Sequence, residues 1–313
     1  MQVWLNGAFT DDTEAAVGVF DASVQHAVGL FETMAARNGR VFRLQQHIER
    51  LVESARQLAL TERLQIEPLS EAVERALKNC GLTEARIRLT VTGGDLNTLR
   101  AGGTGGANDP TILVVPQPPT PYPEAFFTQG VSVIMAPGRV NPWSPFSGHK
   151  TINYWERIHA LQQAASVNAG EALWADPAAC IVSGSVSNLF LVHNGVLVTP
   201  PARGEQDRGD EVPPVLPGIN RAAVMEVAAA SGITVERRRP SMEDLLSAEE
   251  VFLTNASWHV LPVTSLLLRV RQEDASDGDD VQLNQRPVAD GSVGAMTADL
   301  RGSLLALIDR ETS

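Results

Sequence analysis

The sequence predicts a mixed α/β protein of two domains, a small α+β domain followed by a larger mixed α/β domain. Three observations predict it. The chain has 313 residues, 43% of them hydrophobic and 20% charged, which is enough apolar material for two ordinary cores and far from the composition of disordered or fibrous chains. Helical three-and-four spacing and strand-like alternation of apolar residues both recur along its length. A proline-rich stretch, Pro116-Gln117-Pro118-Pro119-Thr120-Pro121-Tyr122-Pro123, reads as a linker. Residues 1–119 are accordingly assigned to the small domain, 120–126 to the linker and 127–313 to the larger domain.

The elements follow in order. Asn6-Gly7 supplies the positive backbone angles of a tight turn, so the chain opens as a hairpin between Val3-Trp4-Leu5 and Ala8-Phe9. Apolar residues at Leu44, Ile48, Leu51, Ala55 and Leu58 predict an amphipathic helix over 44–58, with His47, Arg50 and Ser54 together along its flank. A second helix is expected over 69–79, and Arg86-Ile87-Arg88-Leu89-Thr90-Val91-Thr92 alternates as a half-buried strand. A glycine-rich tract at 101–107 and a strand at 111–115 lead into the linker. Beyond it, Val131-Ser132-Val133-Ile134-Met135 is a strand, 151–165 has helical spacing, and 189–192 pairs with 196–199 across Asn194-Gly195. Two charged segments poor in apolar residues, 203–213 and the acidic 272–285, read as exposed insertions without chemistry. No internal repeat or low-complexity tract interrupts the pattern.

A formal net charge of −12 without clustered Lys and Arg disfavours a nucleic-acid partner, so a phosphate bound here is expected to be small and single. Cys80 and Cys180 are too few for a disulfide framework and too isolated for a zinc site, and the scattered His159, His193 and His259 show no metal-ligand spacing. The opening residues lack a basic region followed by an apolar stretch, and no apolar run approaches membrane-spanning length. A cytoplasmic location is the expectation.

Two motifs carry chemistry. Leu216-Pro217-Gly218-Ile219-Asn220-Arg221 leads into a helical run over 222–230, where the first-turn N–H groups and the positive dipole end suit an anion. A Pro-Gly turn with an Asn cap also begins many helices that bind nothing. In His149-Lys150-Thr151-Ile152-Asn153-Tyr154-Trp155, a lysine precedes a helix among mostly uncharged residues. Burial lowers a lysine pKa and makes its amine a nucleophile, although a lone lysine is more commonly a solvated charge.

Further residues carry a resemblance. Gly29-Leu30-Phe31-Glu32-Thr33-Met34, Phe42-Arg43-Leu44, His47-Ile48-Glu49-Arg50-Leu51 and Ser54-Ala55 resemble the amino-terminal signature of class IV aminotransferases. Lys150 to Tyr154 looks like that family's cofactor-lysine segment, Gly184-Ser185-Val186-Ser187-Asn188-Leu189-Phe190 like the strand beside the cofactor ring, and Leu216 to Arg221 like its phosphate loop. Glu250 to Ser257, with Pro262-Val263, looks like its last active-site strand. The resemblance spans nearly the whole chain.

It implies the two-domain fold type IV of the D-amino-acid and branched-chain aminotransferases, with pyridoxal 5′-phosphate (PLP) in the cleft between domains and a homodimer as the assembly. The roles it implies are a Schiff base to the cofactor and proton shuttling for Lys150, and a phosphate contact for Arg50. Ile219 and Asn220, after Gly218, would complete the phosphate cradle, and Leu216 would pack on the ring. Ser183, Ser187, Asn188, Ala256 and Ser257 complete the cofactor set; Phe31, Trp258 and Arg100 are assigned to substrate, with Arg88 a second candidate for its carboxylate. A structural hydrogen bond is expected of His149 and core packing of Trp155.

Three departures qualify the resemblance. Ser183 stands where most of the family's transaminases have a glutamate that keeps the cofactor's ring nitrogen protonated, Ala256 where a threonine is frequent, and Thr92-Gly93-Gly94 where Thr-Arg-Gly is common. A strand would turn Ser257 away from the place of that threonine hydroxyl. The implied activity is transfer of an amino group between a branched-chain-like or D-amino acid and a 2-keto acid. Ser183 and Asn255-Ala256 fit better the alternative, an aminodeoxychorismate lyase elimination releasing pyruvate and 4-aminobenzoate. A degenerate relative that binds PLP without turnover is the third reading, opposed by the retention of Lys150, Arg50 and Gly218.

Overall fold

The computed structural model describes residues 1–95, 109–207, 210–271 and 281–313, and it divides into two compact units. Unit 1 comprises Met1–Pro121, His149–Tyr154 and Ala306–Ser313; unit 2 comprises Tyr122–Gly148 and Trp155–Leu305. The proline-rich stretch thus ends unit 1 for the first time, but the segment carrying Lys150 and the chain end also belong to it.

Unit 1 is built on an antiparallel six-stranded sheet ordered Ala8–Asp11, Gln2–Leu5, Ile112–Gln117, Ala85–Thr92, Gly29–Arg37 and Arg40–Val41. Side chains alternate across it, so Leu30, Met34 and Ala36 face the core with Ile87, Leu89 and Val91, where the helices Leu44–Gln57 and Ile66–Cys80 supply Ile48, Leu51, Val73 and Leu77. The second helix begins three residues before the expected 69 because Pro68 sits in its first turn, where a missing N–H breaks no intrahelical bond. The last strand runs on through Pro116, which pairs with Ile87. Its other neighbour is in register only with Leu113 and Val114, so Pro116 has a partner on one side alone.

Unit 2 contains a mixed nine-stranded sheet. Its order is Val235–Arg237, Val196–Thr199, Asn188–His193, Glu250–Asn255, His259–Arg271, Val131–Arg139, Glu171–Ala175 and Ile181–Gly184, with Val281–Pro287 pairing alongside His259–Arg271. Its central strands are buried on both faces, which explains continuous apolar runs such as Leu189-Phe190-Leu191-Val192. Both expected hairpin turns have two successive positive φ angles, 45° and 96° at Asn6 and Gly7, 50° and 72° at Asn194 and Gly195.

Three expectations are corrected. The helix expected over 151–165 is Trp155–Ser166, because Thr151 is drawn instead into a β-bridge with Leu30. Trp155, expected in a core, is 81% exposed on that helix. The acidic segment expected as an exposed insertion ends as the strand Val281–Pro287; residues 272–280 and the tract 101–107 lie outside the described residues. In the other insertion, Glu205 is anchored by the buried Arg221, whose Nη1 and Nη2 donate to its two oxygens at 2.8 Å each.

Candidate active site

Backbone hydrogen bonds place Lys150 in unit 1. The Phe31 amide donates to the Lys150 carbonyl at 2.9 Å and the Ile152 amide to the Gly29 carbonyl at 3.0 Å, so the lysine segment is strapped to the strand Gly29–Arg37 rather than held by a helix start. The Lys150 amine lies 4.5 Å from the centre of the Phe31 ring and 5.8 Å from that of Tyr154, and the two rings meet edge to face. The Arg88 guanidinium carbon stands 3.9 Å from the same Phe31 ring. Phe31 is in register with Thr90, so Arg88, two residues along, shares its face of the sheet. Burial lowers the Arg88 pKa from its ordinary value, and Arg86 nearby adds to the effect. His149 meets Ser54 Oγ through Nδ1 at 2.9 Å, the structural bond expected of it.

Behind that strand lies a buried charge cluster. Glu32 occupies a core-facing position between Leu30 and Met34, where an alternating strand would otherwise place an apolar residue. Its carboxylate accepts from Arg50 Nε at 2.8 Å and Nη2 at 2.6 Å, and His47 Nδ1 lies 2.8 Å away. Burial alone would raise the Glu32 pKa, but the Arg50 charge and the bonds from His47 and Arg50 outweigh it and hold the carboxyl well below the usual carboxylate range. Burial likewise holds His47 below the usual imidazole value, against the pull of Glu32. Arg50 therefore pairs with Glu32, not with the helix neighbours Glu49 or Glu53, which take the side-chain amides of Gln45 and Gln57.

Unit 2 holds the anion-suited end. The helix Ile219–Ala230 begins directly after Gly218, which is its N-cap in place of the expected Asn220. Gly218 has no side chain to cap the first turn, whose N–H groups have no intrahelical acceptor by geometry. The loop is packed tightly on its neighbour: a Cβ on Gly218 would fall 1.9 Å from Asn188 Oδ1, while Asn188 Nδ2 donates to the Leu216 carbonyl at 2.9 Å. Asn220 turns its side chain inward, Nδ2 donating to the Asn255 carbonyl at 2.6 Å, and so leaves its backbone amide in the first turn. Ala256 and Ser257 lie in a three-residue turn, not on the expected strand, because Asn255 pairs with His259 across it and His259 takes a φ of 64°. Asn255 Oδ1 accepts the amides of Ser257 and Trp258 at 2.8 and 3.0 Å, so strand alternation does not govern where Ser257 points. Trp258 is buried and packs edge to face on Tyr122.

Ser183 is buried and accepts from Arg157 Nη1 at 3.0 Å. Ser187 is committed elsewhere, its hydroxyl donating to Glu171 Oε2 at 3.0 Å. Glu171 also accepts the amides of Ala172 at 2.9 Å and Val186 at 3.1 Å, so it holds the turn that carries Ser187; burial pushes its carboxyl up. Arg100 lies outside the described residues. Sequence reasoning gave no role to Glu32, Glu171 or Arg157. Glu32 and Glu171 carried a usable signal, an acid inside an otherwise apolar strand, whereas Arg157 on a helix looks like any surface cation.

Unit 1 thus carries a lysine strapped to its sheet and unit 2 a glycine-capped helix, and the sequence that builds them has a family match. The model for amino-transferase class IV matches residues 29–266, and the chain belongs to that family of amino-group-transferring enzymes. A putative branched-chain-amino-acid aminotransferase of Methanocaldococcus jannaschii is 34% identical over 277 residues, covering 86% of this chain and 89% of that one. The branched-chain amino acid aminotransferase of Escherichia coli superposes with a TM-score of 0.83 at 25% identity, covering 100% of this chain and 96% of that one. The 4-amino-4-deoxychorismate lyase of Pseudomonas aeruginosa does so with a TM-score of 0.75 at 28% identity, covering 97% and 98%. The fold is thus that of fold type IV aminotransferases, as the resemblance implied. Among the described residues no helix is long and apolar enough to cross a membrane.

Proposed function

We propose that this enzyme uses PLP attached to Lys150 to move an amino group from a branched-chain-like or D-amino acid to a 2-keto acid. The observation that carries the reading is the placement of Lys150, whose amine lies against the rings of Phe31 and Tyr154 while its backbone is fixed to the strand Gly29–Arg37. The residues fit the cofactor: Gly218 leaves an uncapped first turn whose amides suit a phosphate, packed so closely on Asn188 that a Cβ would not be accommodated. Ile219, Asn220 and Arg50, whose guanidinium plane Glu32 sets, are assigned to the phosphate; Leu216, Ser183, Asn188, Ala256 and Ser257 to the remaining contacts.

When bound, PLP supplies the electron sink for the substrate α-carbon. The chain supplies the rest. Lys150 Nζ would hold the cofactor, and the same amine would hold and move the proton at the substrate α-carbon. The rings of Phe31 and Tyr154 stand against that amine. Arg88, on the face of the sheet that Phe31 shares, is the cation assigned to the substrate carboxylate; desolvation makes a carboxylate its natural partner. The exposed Trp143, Phe146 and Trp155 of unit 2 support a homodimer, since large aromatic side chains are uncommon on a free surface. Cys80 and Cys180 are free thiols, which supports a cytoplasmic location.

The aminodeoxychorismate lyase reading is favoured by Ser183 and by Asn255-Ala256, and the lyase neighbour supports it. Absorption spectra taken during single turnover with D- and L-amino acids separate the two. Conversion of the lysine-bound cofactor band to the pyridoxamine band by one amino acid supports transamination; pyruvate and 4-aminobenzoate from aminodeoxychorismate without that conversion would replace it by the lyase.

A further inference from the structure

Arg157 is the third residue of the helix Trp155–Ser166, and its guanidinium is fixed from several sides. Nη1 donates to Ser183 Oγ at 3.0 Å and to the Gly184 carbonyl at 2.8 Å. The guanidinium carbon lies 4.7 Å from the centre of the Trp174 ring, and Trp174 Nε1 in turn donates to Ser185 Oγ at 2.9 Å. Residues 183–185 and Trp174 therefore hold one cation in a set orientation over the end of a buried strand.

We infer that Arg157 and Ser183 form one device that keeps the ring nitrogen of the bound cofactor unprotonated, with Ser183 donating to that nitrogen and Arg157 acting as the residue that positions Ser183. The inference rests on the cofactor assignment made above. It follows from the inventory of donors. A guanidinium has donors only, so Ser183 must accept from it; the single hydroxyl proton is then left for another acceptor. A neutral pyridine nitrogen is such an acceptor and a protonated one is not. A cation one hydrogen bond away also disfavours a second positive charge on the ring. A ring without that proton withdraws electrons more weakly, so correct placement of protons by Lys150 matters more here than where a glutamate holds the ring charged.

The test is nitrogen-15 NMR of the whole protein reconstituted with PLP labelled at the ring nitrogen, beside Lys150→Ala as control. The expected result is a ring-nitrogen resonance at the neutral-pyridine position throughout the pH range of the folded protein. In Arg157→Gln, which retains a donor for Ser183 but removes the charge, the resonance should begin to move toward the protonated position as pH falls; in the double variant Ser183→Glu with Arg157→Gln it should lie there already. A wild-type resonance at the protonated position overturns the inference, as does an Arg157→Gln titration superimposable on wild type. A lysine-dependent absorption band in the same samples shows that the cofactor assignment itself holds; its absence overturns that assignment, and the inference with it.

Discussion

The Phe31 amide donates to the Lys150 carbonyl at 2.9 Å, and the Phe31 ring lies 4.5 Å from the Lys150 amine. One residue thus meets the lysine at both ends: its backbone fixes where the segment lies, and its ring stands against the amine. A lysine on an open surface has neither constraint.

Removing the amine should remove both attachment and proton transfer. Lys150→Ala is expected to lose the absorption band of lysine-bound cofactor and to lower turnover by about 10²–10⁴-fold, the range of a general acid–base group. Stopped-flow absorption on the purified variant checks both. Turnover at wild-type level would show that another group carries the proton.

Arg88 should act on substrate affinity. Arg88→Gln keeps a polar side chain but deletes the charge that burial leaves beside Phe31. Loss of one charge-assisted contact, worth roughly 1.5–3 kcal/mol, raises KM for the keto acid about 10- to 150-fold. Steady-state kinetics should show kcat changing much less; an unchanged KM would place the substrate carboxylate elsewhere.

The Glu32 cluster should dominate acid stability. The folded-state pKa of Glu32 lies below its unfolded value, so its stabilisation is complete above the ordinary glutamate range and is lost as pH falls through that range toward the folded value. Glu32→Gln leaves the Arg50 charge without its carboxylate, and breaking such a buried pair costs about 3–5 kcal/mol. Urea unfolding at several pH values should therefore give a lower midpoint near neutrality and a shallower decline toward acid than in wild type. Parallel acid limbs for the two proteins would remove Glu32 from this role.

Gly218 tests the anion-suited turn. Gly218→Ala places a Cβ 1.9 Å from Asn188 Oδ1, so the loop or the asparagine must move. PLP affinity, followed by fluorescence titration, should weaken by about 10-fold or more, equivalent to roughly 1.4 kcal/mol. Retained affinity would mean that this helix start does not hold the phosphate.

What was readable in the sequence was whatever depends on local chemistry and periodicity. The alternation of 86–92 gave the strand Ala85–Thr92, the spacing from Leu44 gave the helix Leu44–Gln57, and Asn-Gly pairs gave both hairpins, because turn angles and amphipathic faces are set by neighbours in the chain. Ordered motifs were enough to bring out the family. Tertiary structure alone decided the partners. Arg50 meets Glu32 across 18 positions, Arg157 meets Ser183 across 26 and Asn188 meets Leu216 across 28; Thr151 leaves its helical pattern because the strand at Leu30 offers a bridge. Such pairings depend on which faces the folded sheets bring together, and no local rule encodes them. A buried charge must find a partner, and only the folded chain determines which one is within reach.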